Sequence, residues 1–149
     1  MLASTVAACA PSGPSPSLLA DRSAAGLQQM TLDIRSGANS HRFIVEVARS
    51  FEEQESGLMN RPALGPDRGM IFPYDPPQPV AFWMKNTLIP LDMIFIRPDG
   101  SIAKVAANTV PLSLEPVPAA EPIAAVLEIP GGRSAELGIS AGDRVDWPH

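Results

Sequence analysis

The chain has 149 residues, 45% of them hydrophobic, and a formal net charge of −5. That is enough for one domain with a real core, while 17 Pro and 11 Gly imply many turns and few long helices. Scattered basic residues on an acidic chain argue against a nucleic-acid surface, no run of 18 apolar residues could span a membrane as a helix, and a single cysteine, Cys9, excludes an internal disulfide framework or a cysteine-rich metal site.

Residues 1–28 carry no strong periodicity. Val6-Ala7-Ala8-Cys9 is similar to a bacterial lipoprotein cleavage box, in which the cysteine is lipidated and becomes the mature N-terminus. The Pro- and Ser-rich stretch from Ala10 to Arg22 then reads as a flexible tether. A signal peptide also carries a basic n-region and a longer apolar stretch. The seven residues between Met1 and Cys9 supply neither, so the lipoprotein reading calls for a start upstream. On it, the protein is periplasmic and touches the membrane only through the lipid anchor at Cys9. If Met1 is the true start, the expectation is a cytoplasmic protein.

A single β-rich domain is expected over 29–149. Met30, Leu32 and Ile34 alternate with polar residues, and so do Phe43, Val45 and Val47 after a turn at Gly37; the pair predicts a hairpin. Ser50 and Glu53 form a capping box that starts a short helix over 51–59, with Phe51 and Leu58 on its buried side. Pro62 ends it, because the residue before a proline leaves the α region. Gly69-Met70-Ile71-Phe72 predicts a short buried strand, and residues 75–79 a stiff, Pro-rich connection. Two strands, 80–86 and 91–97, are expected to pair as a hairpin, followed by a turn at Pro98-Asp99-Gly100 and a strand to Asn108. Residues 109–122 read as a long irregular loop. A strand over 123–129, a turn or two of helix ending at Gly138 and a last strand over 144–147 complete a small, mainly antiparallel sheet with two short helices, curled toward a partly open barrel.

The block from Phe82 to Ile96, FWMKNTLIPLDMIFI, is the most apolar stretch and yet holds Lys85, Asn86 and Asp92. A buried unpaired charge is costly. The expected hairpin places Lys85 opposite Asp92 and puts Phe82, Met84, Met93 and Phe95 on a dry face, with Trp83 and Ile94 beside the charges on the other. A purely structural reading makes Lys85 and Asp92 an exposed ion pair contributing less than about 1 kcal/mol. A functional reading makes a ligand cleft: Trp83 as a wall, Lys85, Asn86 and Thr87 at its mouth, Asp92 as acceptor, and Arg61 from the preceding loop. Other catalytic patterns are missing. His41 and His149 have no partner nucleophile, there is no G-x-S-x-G elbow, no phosphate- or dinucleotide-binding glycine motif and no metal-ligand spacing. No metal or cofactor is therefore expected.

Gly57-Leu58-Met59-x-Arg61, Gly69-Met70-Ile71-Phe72, the Phe82–Asp92 block, Val126-Leu127-Glu128 and Gly138-Ile139-x-x-Gly142-Asp143-x-Val145 closely resemble the domain-of-unknown-function 192 family over about residues 41–147. The resemblance implies a small, mostly β protein with a partly split antiparallel barrel, in a family with many exported members. It brings no reaction with it. In many relatives the loop matching 109–122 holds a Cys and a Ser-Tyr pair; here it reads Pro111-Leu112-Ser113-Leu114-Glu115-Pro116, so no thiol role transfers. Three functions stay open: an envelope binding or accessory module for a small molecule or peptide, an enzyme using Lys85 and Asp92 as a proton-transfer pair, and an assembly role in which an envelope protein covers the Trp83 face. The absence of a nucleophile–base set favours the first and leans against an enzyme.

Overall fold

The computed structural model describes residues 18–148. Cys9 and the first part of the expected tether lie outside them. In chain order the elements are β1 (Leu18–Arg22), β2 (Gln28–Ser36), β3 (Asn39–Val47), α1 (Phe51–Ser56), β4 (Arg68–Gln78), β5 (Ala81–Phe82), β6 (Leu91–Ile96), β7 (Ile102–Thr109), β8 (Val117–Pro118), β9 (Ile123–Pro130), α2 (Arg133–Leu137) and β10 (Arg144–Asp146).

The mainly β fold with two short helices follows the expectation. The main sheet runs β1-β2-β3-β4-β9-β6-β7, with β10 also on β2. It curls into a half-barrel, and β10 links β2 to the start of β7. Val145 pairs with Ile34 of β2, while Val145 N–H donates to Gly100 O and Ile102 N–H to Asp143 O at the start of β7. One detail differs from the antiparallel reading: β3 and β4 run parallel, Val45 beside Gly69 and Val47 beside Ile71. Parallel neighbours need a crossover, and α1 with the loop to Asp67 supplies it.

Period-2 alternation puts apolar side chains on both faces of the central strands. Ile34, Phe43, Val45, Ile71, Ile94, Ile96, Leu127 and Val145 fill the concave interior. Met70, Phe72, Met84, Met93, Phe95 and Val126 form a second cluster on the convex face, roofed by the loops after α1 and β5. All six residues of β6 are buried, as expected of a strand covered on both sides. Gly69 lets β4 lie tightly against β9: a Cβ there would stand 2.4 Å from the Glu128 carbonyl oxygen.

Four expectations need correction. The hairpin between 80–86 and 91–97 does not form. The 81–82 segment pairs with Val117–Pro118 instead, and β6 inserts between β7 and β9. A strand buried on both faces gains more from two partners than from one, and adjacency in sequence does not reveal this. The capping box on α1 is present, Ser50 Oγ accepting from Glu53 N–H and Glu53 from the Ser50 N–H, but the helix ends at Ser56. Gly57 turns to φ 45°, so Phe51 and Leu58 lose their common helical phase; Leu58 is buried and Phe51 is 76% exposed. The strand at Met70–Phe72 continues through the Pro-rich segment to Gln78. The last strand stops at Asp146, one residue short of Trp147.

Candidate functional site

Lys85 and Asn86 occupy the corner of a tight turn closed by Thr87 N–H donating to Met84 O. Asn86 takes φ 53°, which asparagine tolerates better than most side chains. Its carbonyl accepts from Asn60 N–H at 2.8 Å, which brings the Arg61 loop beside the turn. Lys85 Nζ stands 5.0 Å from the centre of the Trp83 ring, and both residues are exposed. Thr87 is buried and its hydroxyl donates to Lys85 O. Arg61 reaches a different partner, the buried Glu46 carboxylate, at 2.7 Å. This pair sits in a small hollow of about 320 Å³ that also takes in Arg22, Arg68 and Gly69.

Asp92 stands apart from all of these. It alternates with Ile94 and Ile96 toward the interior and is fully buried. Its Oδ1 accepts from Asn108 N–H at 2.8 Å and Gly132 N–H at 2.9 Å, and its Oδ2 from Ser134 N–H at 2.8 Å. The carboxylate therefore ties β6 to the end of β7 and the first turn of α2. Three backbone donors satisfy a buried carboxylate well, while Lys85 lies exposed at the turn over Trp83. The expected Lys85–Asp92 pair is absent for this reason, and with it the proton-transfer arrangement.

A second buried acid escaped the sequence reading. Glu128 lies on the convex face of β9, between Met70 of β4 and Met93 of β6. No hydrogen bond or ion pair reaches its carboxyl among the described residues, and burial pushes its pKa from 4.5 up to about 8. Tyr74 is raised to about 12, first by its own burial and then by the charge of Glu128. The available signal was a lone acid inside Ile123–Ile129, the same kind of anomaly that drew attention to Asp92.

A cavity of about 720 Å³ lies elsewhere, where the second half of β4, the β6–β7 turn and the C-terminal residues meet. Its apolar wall includes Tyr74, Val145 and Trp147 with four prolines, and its polar lining includes Arg49 and Asp75. Arg97 and Arg144 also reach it, but they are engaged with Glu121 and Asp146. Arg49 and Asp75 make no ion pair among the described residues. None of Arg61, Trp83, Lys85, Asn86, Thr87 and Asp92 lines this cleft. Its residues come from five stretches of chain, at 49, 73–77, 97–100, 124 and 144–148, and no motif in the sequence marks them as one site.

The family model described as "Uncharacterized ACR", DUF192, matches residues 32–147. This chain belongs to the DUF192 family. Among solved structures, this DUF192 chain is similar to a protein of unknown function from Novosphingobium aromaticivorans, with 45% identity, TM-score 0.82, and 90% of this chain and 94% of that one covered. It is also similar to a protein from Sinorhizobium meliloti described as a candidate transcription regulator, with 39% identity, TM-score 0.79, and 80% and 94% covered. No curated protein matches it.

Proposed function

We propose that this DUF192 protein is an envelope binding module for a small zwitterionic ligand with an apolar body, such as an amino acid or short peptide, held in the 720 Å³ cleft. One observation carries the reading: the cleft combines a Tyr74/Trp147/proline wall with two opposite charges, Arg49 and Asp75, that form no ion pair among the described residues. The ligand carboxylate pairs with Arg49, its ammonium with Asp75, and its apolar body lies on Trp147. Small-molecule sites have this makeup, mostly apolar with a few polar groups that fix orientation. The envelope location rests on the Cys9 box. The regulator role named for the Sinorhizobium relative fits this chain poorly. Helices of six and five residues on an acidic chain offer little to a major groove.

Trp147 emission tests the proposal in a Trp83→Phe background, titrated with amino acids and di- and tripeptides. Saturable binding, weakened about tenfold or more by Arg49→Gln and by Asp75→Asn, supports it. No response to any zwitterion, or binding indifferent to both substitutions, refutes it.

A further inference from the structure

A separate observation concerns the face around Trp83. Leu112 N–H donates to Thr87 O, and Met84 N–H donates to Ser113 O. These bonds pin the loop after β7 onto the Lys85–Asn86 turn. Together the two segments present Trp83, Leu88, Val110, Leu112 and Leu114, each between 47% and 68% exposed. Single exposed apolar residues are ordinary, but five on two hydrogen-bonded loops form a patch. Leu112 takes φ 65°, a conformation costing a leucine on the order of 1 kcal/mol or more. The fold thus holds a strained residue in order to present its side chain to solvent.

The form and charge of the patch indicate its occupant. Val110, Leu112 and Leu114 project alternately from a loop, with Pro111 and Ser113 half-buried between them. Projecting tips suit a fluid apolar layer, whereas a protein partner would need matching pockets. Trp83 with Lys85 over its ring is the amphipathic pairing that settles at the headgroup level of a bilayer. Segments 83–88 and 110–114 contain Lys85 and no acidic residue, on a chain of net charge −5; Glu115 follows directly. From the projecting aliphatics and the local positive charge we infer that this face docks on an anionic lipid surface, Leu88, Val110, Leu112 and Leu114 entering the acyl boundary and Lys85 meeting phosphate. This inference does not rest on the proposed cleft ligand, and it adds a second membrane contact to the one expected at Cys9.

The test uses the full chain carrying Cys9→Ser, so that no acyl group contributes. Flotation is measured with vesicles of phosphatidylcholine alone and of phosphatidylcholine mixed with phosphatidylglycerol. The expected result is binding to the mixed vesicles with a blue shift of Trp83 emission, read in a Trp147→Phe background, and weakening as salt rises. Leu112→Asn, chosen because asparagine tolerates the same φ, combined with Leu114→Ser lowers partitioning about tenfold or more with thermal stability retained. Lys85→Gln weakens binding to the anionic vesicles selectively. Absence of flotation with either vesicle, or flotation that the Leu112/Leu114 variant does not change, overturns the inference. So does a concentration-dependent dimer abolished by that variant, which would make a second copy the occupant.

Discussion

Glu128→Gln separates the electrostatic cost of the buried acid from its packing. The Glu128 carboxyl has an ordinary pKa of 4.5, lifted by burial to about 8 in the folded chain. Below pH 4.5 both states carry the proton and the group has no effect on stability. Between 4.5 and 8 the unfolded chain ionises while the folded one keeps its proton, so stability falls as pH rises. At 1.36 kcal/mol per unit, the loss is about 3 kcal/mol at pH 7 and about 5 kcal/mol above pH 8. The other shifted carboxylates, Glu53, Asp99 and Glu121, are lowered by hydrogen bonds and ion pairs. Their stabilisation is lost as pH falls below the ordinary carboxylate range, outside this window. Tyr74, the titratable neighbour that feels Glu128, ionises near 12. Urea unfolding at several pH values from 5 to 9 should therefore show the parent losing stability with rising pH and Glu128→Gln nearly flat, the two curves diverging by about 3–4 kcal/mol between pH 5 and 8. Parallel curves would mean that the folded carboxyl ionises near its ordinary value, and the reasoning fails.

Two further outcomes are expected. Asp92→Ala strands three backbone donors that its carboxylate now accepts from and should lower stability by about 4 kcal/mol in urea unfolding, with Asp92→Asn in between because it keeps one acceptor oxygen. Gly69→Ala places a methyl against the Glu128 carbonyl, forcing β4 from β9, and should lower the thermal midpoint by an amount corresponding to about 1–3 kcal/mol.

The outer strands were legible because each has one wet face. Met30, Leu32 and Ile34 on β2 and Phe43, Val45 and Val47 on β3 alternate cleanly, and the Ser50/Glu53 box marks the start of α1 without help from the rest of the fold. The family resemblance was equally legible, since its motifs are long. The sequence marks β6 as a strand but pairs it with the wrong neighbour, 80–86, because a run buried on both faces carries no alternation from which to choose a partner. Its true neighbours, β7 and β9, are fixed by closure of the whole sheet. The misplacement propagated to the site: once Lys85 and Asp92 were set on one hairpin, a cleft between them followed. In fact Asp92 turns inward to the start of α2 while Lys85 lies outside on Trp83. The large cleft stayed hidden because Arg49, Tyr74, Asp75 and Trp147 meet only when β4, the β6–β7 turn and β10 converge, and no local motif encodes that meeting.

The strand that links β2 to the start of β7 is three residues long, and it also forms one wall of the large cleft. The barrel thus has a seam, and the seam coincides with the mouth of the cavity. Peeling β10 away breaks only its few bonds to β2 and the β7 start, leaving the other pairings intact, so it is the least demanding local opening the sheet permits. On the proposed binding role, a ligand too bulky for the closed cleft would enter by parting this seam, and one that contacts both Trp147 and Tyr74 would then clasp it shut. Slowed amide exchange at Val145 on ligand addition would register that clasp directly.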